Sequence, residues 1–281
     1  MFGPNTKKSI NEKVETSHRS RNFRILYRDL TNKFKQVFGL EGWSILFLNG
    51  SGTLGIESVI RSVKFNVKTI GHEGRFTKRW AQMCQAYKNP NIKREEKISC
   101  LLETSLSSFF ESDNIIVDGV SGFPFKPVPK KAKIFITSSN KILGSVSGLS
   151  IVCIKDASLI KEDLEFSYLN LFLHLRASSK NETLTTASDA VYKDFYESIS
   201  KLNVKRVIRK IKTNSKLISK AIGEDKIIGE STCPVITVPK KHINPRVSKK
   251  YDLYDGEDKW HIFTYSEKDE DYSRLCEDLA K

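Results

Sequence analysis

The stretch IFITSSNKILGSVSGLSIVCI, residues Ile134 to Ile154, contains two apolar runs joined by Ser-Ser-Asn-Lys and a turn rich in Gly and Ser. The β-branched composition of both runs predicts two buried strands. Lysine is among the residues least often buried in proteins. Because burial lowers the pKa of a lysine and makes its amine a nucleophile for carbonyl groups, Lys141 is predicted to be a Schiff-base lysine.

On both sides of this stretch, strand patterns alternate with helix patterns. Helices are predicted over residues 22–38, from residue 50 onward and over 75–87, and strands over 43–50, 67–70, 98–103, 114–119, 132–137 and 149–154. Such alternation predicts an α/β fold with a mostly parallel sheet.

The remainder of the chain predicts a second, smaller unit. Residues 165–222 have helical patterns with long charged faces, VITVP (235–239) and WHIFTY (260–265) indicate a small sheet, and a helix ends the chain. We therefore expect a large α/β domain over residues 1–180 and a small α+β domain over 181–281.

Length and composition exclude several classes of protein. The 281 residues can bury a full core, and no apolar run is long enough to span a membrane. The N-terminus has no apolar signal-peptide core, which predicts a cytoplasmic protein. Five cysteines, an odd number without metal-ligand spacing, predict free thiols in a reducing compartment and no metal site.

The positive charge is concentrated in one part of the chain. Residues 201–250 hold fourteen Lys and Arg against three acidic residues, which is +11 of the net +14. A basic surface of this kind attracts nucleic acid or an anionic substrate, although a solvated helix face is the commoner explanation. Nucleic acid is therefore a candidate partner of this region.

Three motifs follow predicted strands. Ser51, Gly52 and Thr53 form a turn at the start of a helix, where backbone N–H groups bind anions. Asp118 ends a strand, where open α/β sheets place their ligands, and a buried carboxylate there needs a cationic partner. An anion site, a carboxylate for a pyridinium nitrogen and Lys141 together match the needs of pyridoxal 5′-phosphate (PLP).

Nearly the whole chain resembles the class V, fold-type I PLP-dependent aminotransferases, particularly the alanine–glyoxylate, serine–pyruvate and 2-aminoethylphosphonate branch. The segments that carry the resemblance are FGPNT (2–6), SHRSRNF (17–23), GSGTLGIE (50–57), GRFTKRW (74–80), ETS (103–105), VDGVSGF (117–123), SSNK (138–141) and ETLTTASDAVYKDFYESI (182–199). The resemblance implies a compact aminotransferase that uses Lys141 to bind PLP.

The resemblance also implies roles for individual residues. Phe76 would stack on the pyridine ring, Thr104 or Ser105 would contact its phenolic side, and Thr186 would reach the cofactor phosphate of a neighbouring subunit, which implies a homodimer. The implied cofactor-binding residues are Ser51, Gly52, Thr53, Phe76, Thr104, Asp118, Asn140, Lys141 and Thr186. Gly3, Arg19 and His261 are the implied substrate-binding residues.

The chain departs from the family in two respects. It is shorter: one β-α unit is expected to be missing between Arg79 and Glu103, and the link from Glu103 to Asp118 has room for about one helical turn. In addition, His261 stands where the family has an arginine that binds the substrate carboxylate. A histidine cannot form the same two-pronged bond, and Arg246 or Arg19 are the candidates to replace it.

Three functions fit these observations. The first is an aminotransferase that moves an amino group from an amine or amino acid to an oxo acid or aldehyde through Lys141. The second is a PLP-dependent decarboxylase or lyase acting on an amino-acid-modified anionic substrate, such as hypermodified viral DNA. The third is a basic binding protein without enzymatic activity.

Overall fold

The computed structural model describes residues 17–71, 74–110, 113–266 and 269–280. The helices are α1 (Arg21–Phe38), α2 (Gly52–Ser62), α3 (Arg75–Ala86), α4 (Leu171–Ser178), α5 (Asp189–Lys201), α6 (Val204–Ile222), α7 (Pro245–Tyr251) and α8 (Asp269–Leu279). The strands are β1 (Ser44–Asn49), β2 (Asn66–Thr69), β3 (Glu95–Cys100), β4 (Leu102–Glu103), β5 (Ser108–Phe109), β6 (Ile116–Asp118), β7 (Ile134–Ser138), β8 (Leu149–Ile154), β9 (Val235–Pro239), β10 (Tyr254–Gly256) and β11 (Lys259–Phe263).

The main sheet has six strands in the order β1-β8-β7-β6-β3-β2. Neighbouring strands from β7 to β2 are parallel, whereas β8 runs antiparallel to both β7 and β1. The antiparallel β7–β8 pair follows from the short connection between the strands, which is too short for a parallel crossover. The predicted α/β fold with a mostly parallel sheet is confirmed.

This topology brings the predicted motifs to one edge of the sheet. Because β1, β3, β6 and β7 all run in the same direction, their carboxyl ends share that edge. The turns that follow them carry residues 50–53, 101–104, 119–121 and 139–141. Helix α2 packs on β7 and β8 through a face containing Ile56, Val59 and Ile60, which anchors the first of these turns.

The connection from β3 to β6 is as short as the sequence suggests. In its described residues, 101–110 and 113–115, it contains a single 3₁₀ turn, Thr104–Leu106, and the small β4–β5 hairpin instead of a crossover helix. The predicted single strand over 98–103 is wrong in one respect: the chain leaves the main sheet after Cys100, and Leu102–Glu103 pairs with β5. Glu103 and Thr104 are thereby turned toward α3.

The C-terminal part forms a three-stranded antiparallel sheet, β10-β11-β9, covered by α6 and α8. Its core contains Ile218, Val235, Ile262 and Tyr272, all fully buried. Helix α5 packs on α1 in a different cluster, around Tyr192 and Phe195, so hydrophobic packing groups α5 with the large sheet. The domain boundary at residue 180 stays a prediction.

Three further properties concern the described residues as a whole. All five cysteines are free thiols, and Cys84, Cys100, Cys153 and Cys233 are buried. None of the helices in the described ranges is long and apolar enough to cross a membrane. Within the same ranges, no three His, Cys, Asp or Glu side chains come together as metal ligands would.

Candidate active site

A cavity of about 240 Å³ opens at the carboxyl edge of the main sheet. It is bounded by the turns after β1, β6 and β7, by α3 and by β10. Eight residues predicted from the sequence line it together: Ser51, Gly52, Thr53, Phe76, Thr104, Asp118, Asn140 and Lys141. Their binding to a cofactor stays a prediction, but the structure places all eight around one space.

Asp118 is a buried carboxylate at the end of β6, with 6% of its surface exposed. The backbone N–H of Val120 donates a hydrogen bond of 2.7 Å to its Oδ1. Burial raises the pKa of Asp118 from 3.8 to about 7, and the nearby Glu103 adds to the rise, whereas the Val120 bond and Lys141 oppose it. Within the described ranges no cation lies within ion-pair distance of Asp118, so the carboxylate could pair with a cationic group in the cavity.

Lys141 lies in the turn after β7 and lines the same cavity. Burial lowers the pKa of its amine to about 8, although Asp118 opposes the change. Its Nζ lies 5.3 Å from the centroid of the Phe263 ring, a cation–π contact from the small domain. An amine with this pKa is partly neutral near pH 7 to 8 and can attack a carbonyl carbon.

The turn before α2 is free to bind an anion. Ser51 is the N-cap residue of α2 and makes no side-chain capping bond, so its hydroxyl and the N–H groups of Gly52 and Thr53 remain available, whereas the Leu54 N–H donates to the Ser51 carbonyl. Gly52 approaches the wall of the cavity closely, because a Cβ there would lie 2.5 Å from Cγ2 of Val120. The combination suits a phosphate group at this end of the cavity.

Glu103 holds the opposite wall in place, a role that is not predicted from the sequence. Its fully buried carboxylate accepts hydrogen bonds from the backbone and hydroxyl of Thr77 (3.2 and 2.7 Å) and of Ser105 (3.2 and 2.7 Å). The Thr77 N–H belongs to the first turn of α3, whose N-cap, Gly74, has no side chain to satisfy it. Glu103 therefore fixes the start of α3, and with it Phe76.

Other lining residues also lay outside the sequence prediction. Ser121 accepts a 2.8 Å hydrogen bond from the Thr104 hydroxyl and lies in the quoted VDGVSGF segment. Trp80 lies one helical turn after Phe76, a spacing that could have indicated a shared face. Tyr254 comes from β10 in the small domain, and no local pattern in the sequence points to it.

His261 faces a second cavity of about 440 Å³, which shares Phe76, Thr104 and Tyr254 with the first. The residue is 3% exposed, and its Nδ1 is 2.9 Å from the hydroxyl oxygen of Thr237. Burial lowers the pKa of His261 to about 4, with a further lowering by the cations Lys259 and Arg75. The imidazole is therefore neutral at pH 7 and does not reproduce an arginine.

The remaining predicted residues lie elsewhere. Arg19 is exposed just before α1, and Arg246 is exposed on α7; neither lines either cavity. Gly3 lies outside the described residues. Thr186 is exposed, and its carbonyl accepts a 3.0 Å hydrogen bond from the Asn49 amide at the end of β1. It does not line the cavity of its own chain.

No protein-family model matches the chain, and no curated protein matches it. Several solved structures do match the chain. Alanine–glyoxylate aminotransferase from Nostoc sp. has 16% identity and a TM-score of 0.82, over 99% of this chain and 93% of that chain. The aspartate aminotransferase of subgroup IV from Thermus thermophilus has 15% identity and a TM-score of 0.81, over 99% and 97%.

A phosphoserine aminotransferase from Cytophaga hutchinsonii has 17% identity and a TM-score of 0.77, over 94% of this chain and 90% of that chain. The aligned regions cover both sheets and the cavity between them, since almost the whole chain is matched. The chain therefore has the fold of the class V, fold-type I aminotransferases.

Proposed function

We propose that this protein is a PLP-dependent aminotransferase that transfers an amino group between an amine or amino-acid donor and an oxo-acid or aldehyde acceptor. The observation that carries the proposal is the pair formed by Asp118 and Lys141, a carboxylate and an amine at neighbouring strand ends facing one cavity. When bound, PLP supplies an aldehyde that bonds to amines and a ring that accepts electrons.

The residues around the cavity fit that group. Asp118 would pair with the protonated ring nitrogen, which removes the cost of leaving the carboxylate buried without a cation. Phe76 would stack on the ring, and the turn Ser51–Thr53 would hold the phosphate at the start of α2. Asn140 and Thr104 lie on the cavity wall beside Lys141. Lys141 would hold and release a proton at Nζ, since its pKa of about 8 lies close to neutral pH.

Of the two PLP-dependent reactions, transamination is favoured over decarboxylation. The similar solved structures described above are named as aminotransferases, and they align over nearly the whole of this chain. The two reactions differ in product: amino-group transfer leaves the cofactor as pyridoxamine phosphate, whereas decarboxylation releases CO2.

The proposal is tested by the visible absorption spectrum of the purified protein with added PLP. We expect a visible absorption band of pyridoxal bound to the protein, which borohydride converts to a covalent adduct. The band should be absent in Lys141→Ala and present in Lys64→Ala, which removes an exposed lysine. Absence of the band in the unaltered protein would exclude a PLP enzyme.

We also propose a homodimer with shared active sites. Thr186 supports it, because this exposed threonine lies beside the end of β1 but not in the cavity of its own chain. Leu164 and Phe166 support it as well, since these large apolar residues are 72% and 71% exposed. Thr186→Val should weaken PLP binding, whereas Thr183→Val, close in sequence but bonded to its own loop, should not. Sedimentation should show a dimer that Leu164→Asp weakens.

A second candidate function, nucleic-acid binding, is favoured by the surface of α6. This helix has seven Lys and Arg and no acidic residue. At about 100° per residue, Lys205, Arg209, Lys212, Lys216 and Lys220 fall within an arc of about 80°, along roughly 22 Å of helix. The apolar face, with Ile218 and Ile222, is buried in the core of the C-terminal sheet, so it is not available to a membrane.

This candidate is tested by the salt dependence of binding to a fluorescent 20-base-pair duplex. The five α6 residues replaced together by Gln should lower affinity and reduce the log–log salt slope by about 4, close to one per lost phosphate contact. A control variant replaces five exposed lysines elsewhere: Lys64, Lys88, Lys93, Lys97 and Lys180. If the two variants have equal effects, binding depends only on the net charge of the protein, and α6 is not a dedicated nucleic-acid-binding surface.

A further inference from the structure

The reactive lysine of the proposed cofactor cavity is contacted by an aromatic ring of the C-terminal sheet. Nζ of Lys141 lies over the ring of Phe263, 5.3 Å from its centroid. We propose that Phe263 is a positioning residue for Lys141: its ring holds the charged form of the amine and thereby sets the pH range in which the neutral amine reacts with a carbonyl group. This inference rests on the proposed aminotransferase function and identifies what controls the reactivity of the lysine in that site.

Lys141 has no other close partner among the residues that the structure describes. Its amine forms no hydrogen bond and no ion pair with any of them. An ammonium group has three donors, and water satisfies all of them when the side chain is exposed. In the cavity part of that water is removed, and the face of an aromatic ring, which carries the negative end of the ring quadrupole, stabilises such a cation. The contact with Phe263 therefore favours the protonated amine.

The Phe263 ring is held in the orientation that this contact requires. It is 1% exposed and belongs to the core of the C-terminal sheet. The rings of Tyr254 and Tyr265 pack against it in edge-to-face geometry, with centroids 6.1 and 5.5 Å away and interplanar angles of 83° and 71°. A rotation that turned the positive edge of the ring toward Lys141 would disturb both of these contacts. The ring face is therefore fixed beneath the amine.

The other groups around the amine cannot replace the ring. Asp118 from β6 and Tyr254 from β10 are the other titratable side chains on the described wall of the cavity, and α2 and α3 contribute none. Burial lowers the pKa of Lys141 to about 8, and Asp118 opposes this change. Because burial raises the pKa of Asp118 itself to about 7, its charge is lost below that pH. The Phe263 ring does not titrate, so it stabilises the ammonium form at every pH.

The experiment measures the titration of Lys141 in the protein without PLP, so that it does not depend on the proposed reaction. The protein is treated briefly with acetic anhydride, which acetylates neutral amines, at a series of pH values from about 6 to about 10. Mass spectrometry of the peptide that contains Lys141 gives the extent of labelling at each pH. The midpoint of the labelling curve should lie near pH 8.

Removal of the ring should move this midpoint to lower pH. Phe263→Leu and Phe263→Met both remove the ring and keep an apolar side chain. From the usual strength of a cation–π contact, we expect a downward shift of about 0.5–1 pH unit and about two- to fivefold more labelling of Lys141 at pH 7. Phe263→Tyr keeps the ring face and should leave the midpoint within about 0.3 pH unit.

Phe65→Leu is the matched control. Phe65 is also buried, at 2% exposure, and its ring also lies under a cation, with Cζ of Arg94 4.9 Å from the centroid, but it does not line the cavity. This variant removes a similar amount of packing and should leave the labelling of Lys141 unaltered. The exposed Lys180, labelled in the same samples, reports any general change in reactivity.

The outcomes separate this inference from the proposed function. An unaltered or raised midpoint in Phe263→Leu and Phe263→Met, or an equal shift in Phe65→Leu or Phe263→Tyr, would overturn the role of Phe263 even where PLP gives the visible band. Labelling of Lys180 without labelling of Lys141 at any pH would show that the amine is shut off from the cavity, and would overturn it as well. A downward shift confined to the two variants without a ring would uphold the role of Phe263, and the visible band then decides separately whether PLP is the cofactor.

Discussion

The carboxyl edge of the main sheet and the β10–β11 hairpin form two sides of the same site, but they differ in how they are built. At the sheet edge, Asp118 ends β6 and Lys141 lies in the turn after the adjacent parallel strand β7, and hydrogen bonds between the two strands set the distance between the strand ends. The hairpin brings Tyr254 and His261 from the small domain, more than a hundred residues later in the chain. The sheet edge can hold the chemistry that is common to a fold, whereas the charged residues of the β10–β11 hairpin can vary without altering the main sheet.

Asp118→Asn tests the sheet edge and should have the largest effect. PLP affinity should fall about 30-fold or more, since the ring nitrogen loses its charged partner. In contrast, Asp118→Asn should increase the stability of the chain without PLP. Because burial raises the pKa of Asp118, the folded chain retains a proton on this carboxyl that the unfolded chain releases. The free energy of unfolding of the unaltered chain therefore falls as the pH rises from 3.8 to about 7.

The Asn variant should lack this fall and be roughly 2–4 kcal/mol more stable than the unaltered chain at pH 8. Thermal denaturation of the unloaded proteins at pH 5 and pH 8 measures the difference. Asp113→Asn, a change at an exposed carboxylate, serves as the control. A pH dependence that survives in Asp118→Asn would show that another group is responsible.

Glu103→Gln tests the support beneath the sheet-edge site. The amide keeps one acceptor oxygen and loses the charge, so the free energy of unfolding should fall by about 2–3 kcal/mol. PLP should also bind several-fold more weakly, because the start of α3 carries Phe76. Urea denaturation measures the first effect. Glu96→Gln, at a surface ion pair, should cost less than about 0.5 kcal/mol.

His261→Gln tests the hairpin through acid stability. The pKa of His261 is lowered from 6.5 to about 4, so the folded chain holds fewer protons than the unfolded chain between those values. Stability should therefore fall as the pH drops from about 6.5 to about 4 in the unaltered chain. Over the same pH interval, the free energy of unfolding of the Gln variant should fall by about 2 kcal/mol less than that of the unaltered chain. His242→Gln, at an exposed histidine, is the matched change, and an equal response of both variants would contradict the assignment.

Gly256→Ala tests the packing of the hairpin and should have the smallest effect. The added Cβ would lie 2.2 Å from Nε2 of His261, so the imidazole has to shift. We expect a loss of about 1 kcal/mol in stability, measured by urea denaturation. Gly42→Ala meets no atom within 4 Å and should leave the stability unchanged. Equal stabilities of the Gly256→Ala variant and the unaltered chain would show that the imidazole shifts without cost.

The two regions also differ in what could be predicted from the sequence. Asp118, Lys141 and the Ser51–Thr53 turn were identified because each follows an apolar run, and strand ends of one direction share an edge. Glu103 was missed as a positioning residue even though its segment was recognised, because its partner Thr77 lies on a different element. Tyr254 was missed because β10 is a three-residue strand without a distinctive pattern.

The sequence by itself determined the alternation of strands and helices, the mostly parallel sheet and the alignment of the chemical residues at one edge. These follow from local patterns of apolar residues and from the direction rule for strands. Only the tertiary structure decided that Glu103 caps α3, that Phe263 contacts Lys141 and that Arg75, Lys259 and His261 line one cavity. Those contacts join residues far apart in the chain, and their formation depends on how the two sheets pack rather than on any local periodicity.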